Sequence, residues 1–422
     1  MIPDAIAYLT SLGVPIGGGG AGGTLQVDFT GVPATSEGTV TVRTATPVPD
    51  GRAGLAYLGL NALDLLGGPV WLTGLRQNAD DRSNLALQNA GDEGITLRVT
   101  VFSGDPLAPG SRIFPEKSLV PGEFFQYNAV LDAAGFEQGY ARVERISGTA
   151  PYYAYAVIND QANSDGSLVF PVREDSLAGT QGQTLPVIVE TELLNSDLTV
   201  ANVSASPKML DFSLVADAIQ TFNHTARFRL TLQAGEQRII PHIVDRLRQA
   251  SVAGIGPAGP VIAGALFATA SGADISGIVI SARTGSPGGG GQYGVFYNGV
   301  PYGSASTASA WIYGLQQNAE NRRNLALVNT GEVDFGDSVF SIDIYAGDSG
   351  LLVRTVNDIT LPAHRWRQIN RILARYAPGT SQGYVRVRQT SGNNPFIAYG
   401  VINDGGAPGQ RSGDGAFLPS RP

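Results

Sequence analysis

Residues 71–91 read WLTGLRQNADDRSNLALQNAG, and residues 311–331 read WIYGLQQNAENRRNLALVNTG. Thirteen of these 21 positions are identical, at a constant offset of 240. The correspondence continues downstream. Gln126 and Asn128 answer Gln368 and Asn370; QGYARV (138–143) answers QGYVRV (382–387); AYAVIND (154–160) answers AYGVIND (398–404); DGSLVFP (165–171) answers DGAFLP (414–419). Ordered identity of this kind is duplication, and it limits the chain to an architecture that can be built from repeated units.

Between the two copies lies a diverged relative of the same unit. LTVANVS (198–204) stands where LALQNAG and LALVNTG stand, and GIVISART (277–284) takes the place of the AYxVIND strand. The N-terminal residues match the second half of this middle unit. Residues Ile2 to Ile6 resemble Ile240 to Val244, and GTVTVRT (38–44) resembles GIVISART, with Arg43 answering Arg283. The expected organisation is a partial module at 1–70 (second half of the second repeat type), a first-type module at 71–184, a second-type module at 185–310 and a first-type module at 311–422. On this reading the chain opens inside a module whose first half, the counterpart of 185–238, is missing.

Each unit carries short runs of alternating apolar and polar residues, such as TLRVTVFSG (96–104) and VFSIDIYAG (339–347), punctuated by Gly, Asp, Asn and Pro. The 55 glycines and 25 prolines follow no collagen-like period and suit many tight turns. About seven strands per hundred-odd residues predict an all-β chain of tandem immunoglobulin-like β-sandwich modules in an elongated arrangement. One short helix is expected in each, at 129–134, 242–249 and 369–376. An N-terminal counterpart would begin at Pro3 and Asp4 and turn Ile6 and Leu9 towards a sheet. TLQVDF (24–29) and GTVTVRT are read as strands lacking partners, to be completed by a neighbouring chain or by packing on 71–184.

The blocks GLRQNADDRSNLAL, QGYxRV and AYxVIND followed by a DG turn resemble the tandem immunoglobulin-like repeat regions of large exported bacterial surface proteins. That resemblance covers nearly the whole chain. It implies a non-catalytic structural or adhesive protein, extracellular or at the cell surface, with other copies of itself as partners.

Composition excludes several alternatives. A net charge of −8 without a basic stripe disfavours nucleic-acid binding. No apolar run is long enough for membrane insertion. The absence of cysteine removes disulfides, thiolate metal sites and a cysteine nucleophile. Gly347-Asp348-Ser349-Gly350 matches the loop around a serine-protease nucleophile, but the duplicate reads Ser103-Gly104-Asp105-Pro106, so a hairpin turn is expected. His224, His242 and His364 have no metal-like spacing. The GGGG runs at 17–20 and 288–291 lack the Lys of a phosphate loop and read as turns. Arg82 and Arg322, each followed two residues on by an asparagine, read as arginines pinning a loop to nearby carbonyls, and Trp71 and Trp311 as packing at module junctions.

Two groups remain as candidate sites. Asp160, Asn163 and Asp165, with Asp404 and Asp414, are oxygen ligands that could hold calcium; Asx turns are the competing reading. No other cofactor is expected. Tyr293, Phe296, Tyr297 and Tyr302 form the best glycan- or partner-binding stretch, against a role in packing between modules. A fibre or layer subunit is therefore the leading expectation, an adhesin or carbohydrate-binding accessory protein the second, and a hydrolase the third.

Overall fold

The computed structural model describes residues 2, 4–16, 23–31, 38–216, 225–259, 261–270 and 274–421. The expected helix start at Pro3, the glycines 17–20 and His224 lie outside the described residues.

The chain is almost wholly β. In the first sandwich one sheet runs in the order Gly166–Val169, Tyr152–Asp160, Asp81–Asn89, Phe124–Tyr127. The facing sheet runs Val172–Arg173, Val70–Arg76, Gln138–Ser147, Ile95–Ser103, Ser111–Ile113. The last sandwich repeats this order. Phe396–Asp404 lies between Gly415–Pro419 and Asn321–Asn329, and Gln382–Ser391 lies between Ser309–Gln316 and Ser338–Ala346. The expected superposition holds at the level of register: Ala86 is flanked by Gln126 and Tyr155, and Ala326 by Gln368 and Tyr399. The middle sandwich has the same strand succession, but its two sheets join at a corner where Glu190 pairs with Asn195.

The residues retained by duplication are those the backbone needs. Gly74 and Gly314 have φ near +80° and +74° and sit where the strand register slips, between Leu72 and Leu75 and between Ile312 and Leu315. A side chain would strain that bulge. Asn89, Asn202 and Asn329 are fully buried, and each amide donates to two carbonyls of its own sandwich: Glu93 and Leu119, Ser206 and Gln233, Gly336 and Leu361. The asparagine thus ties the end of its strand to neighbouring loop and strand-end carbonyls.

The helices Val130–Ala134, Ile243–Gln249 and Ile372–Tyr376 lie at the expected positions. Each is entered through a left-handed residue, Ala129, His242 or Arg371. The N–H of that residue donates to the side chain of Asn84, Asp197 or Asn324. Val130 and Leu131, Ile243, Val244 and Leu247, and Ile372 and Leu373 then enter the cores.

The N-terminal region differs from expectation. The helix Ala5–Ser11 is capped by Asp4, whose Oδ1 accepts from the N–H of Ala7, but it buries no residue. Ile6 is 54% exposed and does not face a sheet. TLQVDF is irregular and exposed, not a strand. Its counterpart Ile262–Ala270 is held between Gly182–Glu190 and Lys208–Ala216. No such neighbours flank TLQVDF among the described residues, so its backbone has no ladder to join. Only the hairpin of Thr41–Val48 and Gly51–Leu58 forms, as a two-stranded sheet. It matches the hairpin of Ile278–Gly288 and Gly291–Asn298 that closes the middle sandwich.

The all-β class and the sandwich modules are as expected. Their succession is not simply elongated, because the N-terminal hairpin lies against the last sandwich as well as the first. Nor does it borrow the sheet of 71–184; it packs on it without pairing.

Replacing Asn329 with Leu removes the amide that donates to the Leu361 carbonyl and accepts the Gly331 N–H, in a fully buried position. A loss of about 2–4 kcal/mol in urea-unfolding free energy is expected, against under about 0.5 kcal/mol for a change at the exposed Leu107.

Candidate functional site

Tyr302 apart, the candidate carboxylates and aromatic rings converge on one place, the junction where the closing strands of all four modules meet. Gly166–Val169 and Gly415–Pro419 approach both Gly51–Leu58 and Gly291–Asn298 there. The two halves of the arrangement are built from corresponding residues of the duplicated units.

The turn end of each hairpin binds the loop of one sandwich. At the first sandwich Asp160 Oδ2 accepts the N–H of Gln292 (2.8 Å), and Asp165 Oδ2 accepts that of Gly294 (2.7 Å). At the last sandwich Asp404 Oδ2 accepts the N–H of Arg52 (3.1 Å), and Asp414 Oδ2 accepts that of Gly54 (2.8 Å). A Cβ at Gly51 would overlap the Asp404 carboxylate, and one at Gly291 that of Asp160. These positions therefore require glycine for close approach.

A guanidinium seals each contact. Arg283 donates from Nη1 to Asp81 (2.9 Å) and from Nε to Ser167 (3.0 Å). Arg43 donates from Nη1 to Asn321, the duplicate of Asp81, at 2.6 Å, and its Nη2 lies 3.7 Å from Asp414.

The far end of each hairpin rests on the other sandwich. Tyr57 meets Tyr155 edge-on at 5.7 Å, and Tyr297 meets Tyr399 at 5.9 Å and Phe417 at 5.2 Å. Tyr293, Phe296 and Tyr297 are thus inside this joint, 3%, 1% and 6% exposed, and Tyr293 donates to Asp50. Tyr302 packs over Gly182. The four rings form no open shelf.

The loop residues are engaged in turns and in the joint. Asp160 Oδ1 accepts the N–H groups of Ala162 and Asn163, and Asn163 Oδ1 accepts that of Asp165. The amide of Asn163 reaches the carbonyls of Gly288 and Gln292 in the opposing hairpin. Asp404 Oδ2 also accepts from Ser412 and Arg411. Among the described residues no three acids or histidines are grouped as metal ligands. The GGGG run at 288–291 forms the turn of the second hairpin.

Other singled-out residues lie apart. Arg322 donates to the carbonyls of Asp404, Gly405 and Ala407, pinning that loop. Ser349 sits in an exposed turn and accepts from the N–H of Leu351. His364 is packed against Phe267 and Phe335, and burial lowers its pKa. Trp71 is buried at the contact between the first and middle sandwiches; Trp311 is only half-buried.

What the sequence did not reveal is that Asp165 and Asp414 face the same buried centre. They are 0% and 1% exposed, and Oδ1 of each lacks a hydrogen-bond partner. Burial is the first cause that holds each carboxyl protonated above the usual range: Asp165 is pushed up to about 7, with the charge of Asp160 adding to burial and the Gly294 N–H and Arg283 opposing, and Asp414 is shifted in the same direction, with Asp165 adding to burial and Arg43 opposing. The recurrence of a DG turn after each AYxVIND strand was the available signal, but it does not show that the two turns meet.

No protein-family model matches the chain, and no curated protein sequence matches it. No helix among the described residues is long and apolar enough to cross a membrane.

The acid pair makes a signed prediction. In the unfolded chain both carboxyls titrate near 4, so between about pH 4 and 7 the folded protein binds more protons than the unfolded one. The pair's contribution to stability is full below about pH 4 and is lost as pH rises through about 7. Melting temperature should therefore fall across pH 5–8 more steeply in the parent than in Asp414→Asn, whose amide carries no charge at any of these pH values. Parallel curves would refute the shared buried acid pair.

Proposed function

We propose that this is a non-catalytic structural protein, a repeat-built subunit that assembles head to tail with copies of itself into a fibre, filament or layer outside the cell. The observation that carries this reading is that one joint is built twice from duplicated parts. The hairpin at 278–298 is held by the aspartates of the first sandwich, and the hairpin at 41–58 by those of the last. The second joint links regions more than 350 residues apart in the chain, so its geometry does not depend on a short covalent connection. The same surfaces can meet between two molecules, because such a contact is heterologous and propagates.

Two features support the structural emphasis. The polar groups that might have formed a site accept backbone N–H groups at the joint or in their own turns. The residues preserved at the 240-residue offset are bulge glycines, strand-end asparagines and hairpin-docking arginines, each tied to framework geometry. Placement outside the cell rests on the resemblance of the repeat blocks to exported surface proteins.

Electron microscopy and sedimentation velocity over a concentration series test the reading. Growing head-to-tail oligomers are expected for the parent chain. Gly51→Val, which puts a side chain into the Asp404 carboxylate, should reduce them at least tenfold, and Leu107→Ala should not. A parent that stays monomeric at every concentration would overturn the assembly. Separately, Ser349→Ala should leave folding and any measured ester or peptide hydrolysis unchanged; loss of such an activity would overturn the non-catalytic assignment.

A further inference from the structure

The duplicated halves differ in what covers a shared aromatic cluster. In the first sandwich, Phe102 and Tyr140 stack at 5.2 Å, with Trp71 at 5.8 and 5.7 Å from them. The last sandwich repeats the cluster: Tyr345 and Tyr384 stack at 5.0 Å, with Trp311 at 5.7 and 6.1 Å.

The first cluster is covered. Trp71 and Tyr140 are 7% and 3% exposed, packed with Val172, Leu177 and the middle sandwich's Val279 and Val203. Tyr140 donates to the carbonyl of Gly235 (3.1 Å). The N–H of Gly74 donates to Gln237 Oε1 (2.8 Å), and the N–H of Gln237 donates to the carbonyl of Gly104 (2.9 Å). Trp311, Tyr345 and Tyr384 are only half-buried. Among the described residues no strand like Gln237–Ile240 lies over Gly314 and Gly347, the duplicates of Gly74 and Gly104.

Two further features of the N-terminal region lack the same cover. Ile278–Gly288 pairs on one edge with Gly291–Asn298 and on the other with Asn195–Asn202. Its duplicate Thr41–Val48 pairs only with Gly51–Leu58 among the described residues. The helix Ile243–Gln249 packs on Asn195–Asn202, whereas Ala5–Ser11 buries nothing and leaves Ile6 and Tyr8 54% and 45% exposed. In the middle sandwich one segment, 195–240, supplies the missing neighbour in all three places.

We propose that the outer edge of Thr41–Ala45, continuous with the face of Trp311, Tyr345 and Tyr384, is an acceptor for a β-segment of a separate polypeptide with the chemistry of residues 195–240. The inference rests on the assembly reading and names its docking surface. The internal duplicate specifies the occupant. Its first strand runs antiparallel to Thr41–Ala45, as Asn195–Thr199 does to Ser281–Gly285. In that register a carboxylate side chain falls opposite Arg43, as Asp197 falls opposite Arg283. Arg43 puts a cation beside that position: Nη1 bonds Asn321, Nη2 lies 3.7 Å from Asp414 and the buried Nε has no hydrogen-bond partner, while in the internal duplicate Asp197 is bonded to Arg76 and Arg283 to Asp81. Strand addition satisfies the open backbone edge, and burial of three aromatic rings adds the apolar contribution.

The occupant cannot copy 195–240 in every contact. Arg76 pairs with Asp197 at 2.8 Å, but its duplicate is Gln316. A partner for the last sandwich therefore meets a neutral amide there.

The test uses the full chain with a synthetic peptide of residues 193–204, followed by hydrogen exchange and native mass measurement. The expected result is one peptide per chain and at least tenfold slower exchange of the outward amides within 41–45. Trp311→Ala should weaken binding at least fivefold, and a reversed-sequence peptide should give no protection. Absence of protection at millimolar peptide, or equal protection by the reversed sequence, overturns the acceptor. So does binding of an oligosaccharide from a glycan array that is lost in Tyr384→Ala without peptide protection, which would make the face a sugar platform. Protection in a chain that never oligomerises supports the acceptor and sinks the assembly reading; filaments without protection do the reverse.

Discussion

Two aspartates buried at one junction, Asp165 and Asp414, organise the contacts among the modules. Each uses one oxygen to hold a glycine N–H of a hairpin from another part of the chain, and the other oxygen of each is buried without a hydrogen-bond partner. A buried carboxylate is costly unless it is paired, hydrogen-bonded or protonated. The junction uses all three remedies: backbone donors, the guanidiniums of Arg43 and Arg283 nearby, and protons retained above the usual carboxylate range. The glycines follow from the same constraint, since the hairpin backbone must come within hydrogen-bonding distance of a carboxylate. The tyrosines at the other ends of the hairpins then fill the space between two sandwiches.

Duplication preserved this joint and changed its surroundings in compensated steps. Arg76 with Ser83 in the first sandwich becomes Gln316 with Arg323 in the last. Arg76 reaches out to Asp197 of the middle sandwich. Arg323 is 2% exposed and turns inward, donating to the carbonyls of Gly314 and Arg322 and to Gln316. One guanidinium thus serves contact between modules and the other serves the bulge in the facing sheet of its own sandwich. The aromatic clusters diverged in exposure rather than in geometry. Trp71, Phe102 and Tyr140 have the stacking of Trp311, Tyr345 and Tyr384, yet only the first set lies under a neighbouring sandwich.

Much of the fold was legible in the sequence because duplication shows which positions the backbone cannot vary. Asn89, Asn202 and Asn329 recur where a strand end needs side-chain donors. The repeated Trp-x-x-Gly-Leu block recurs where a bulge needs a glycine. The helices at 129–134, 242–249 and 369–376 were visible from their aliphatic spacing. TLQVDF was misread because alternation describes a strand's faces and not its neighbours; without flanking strands its backbone gains nothing by extending. Ile6 was misread for the same reason, since an apolar helical face needs a sheet to cover it.

The sequence by itself determined the all-β sandwich class and the equivalence of distant residues, because these depend on local patterning and on ordered identity between repeats. It also marked Arg43 and Arg283 as equivalents. Only the tertiary structure decided that Asp165 and Asp414 share one buried centre, that Tyr293, Phe296 and Tyr297 lie inside a joint, and that one aromatic cluster is covered while its duplicate is half-open. The physical reason is that proximity across modules is set by which surfaces bury together. Two residues 249 positions apart carry no mark in the chain that folding buries both at one junction.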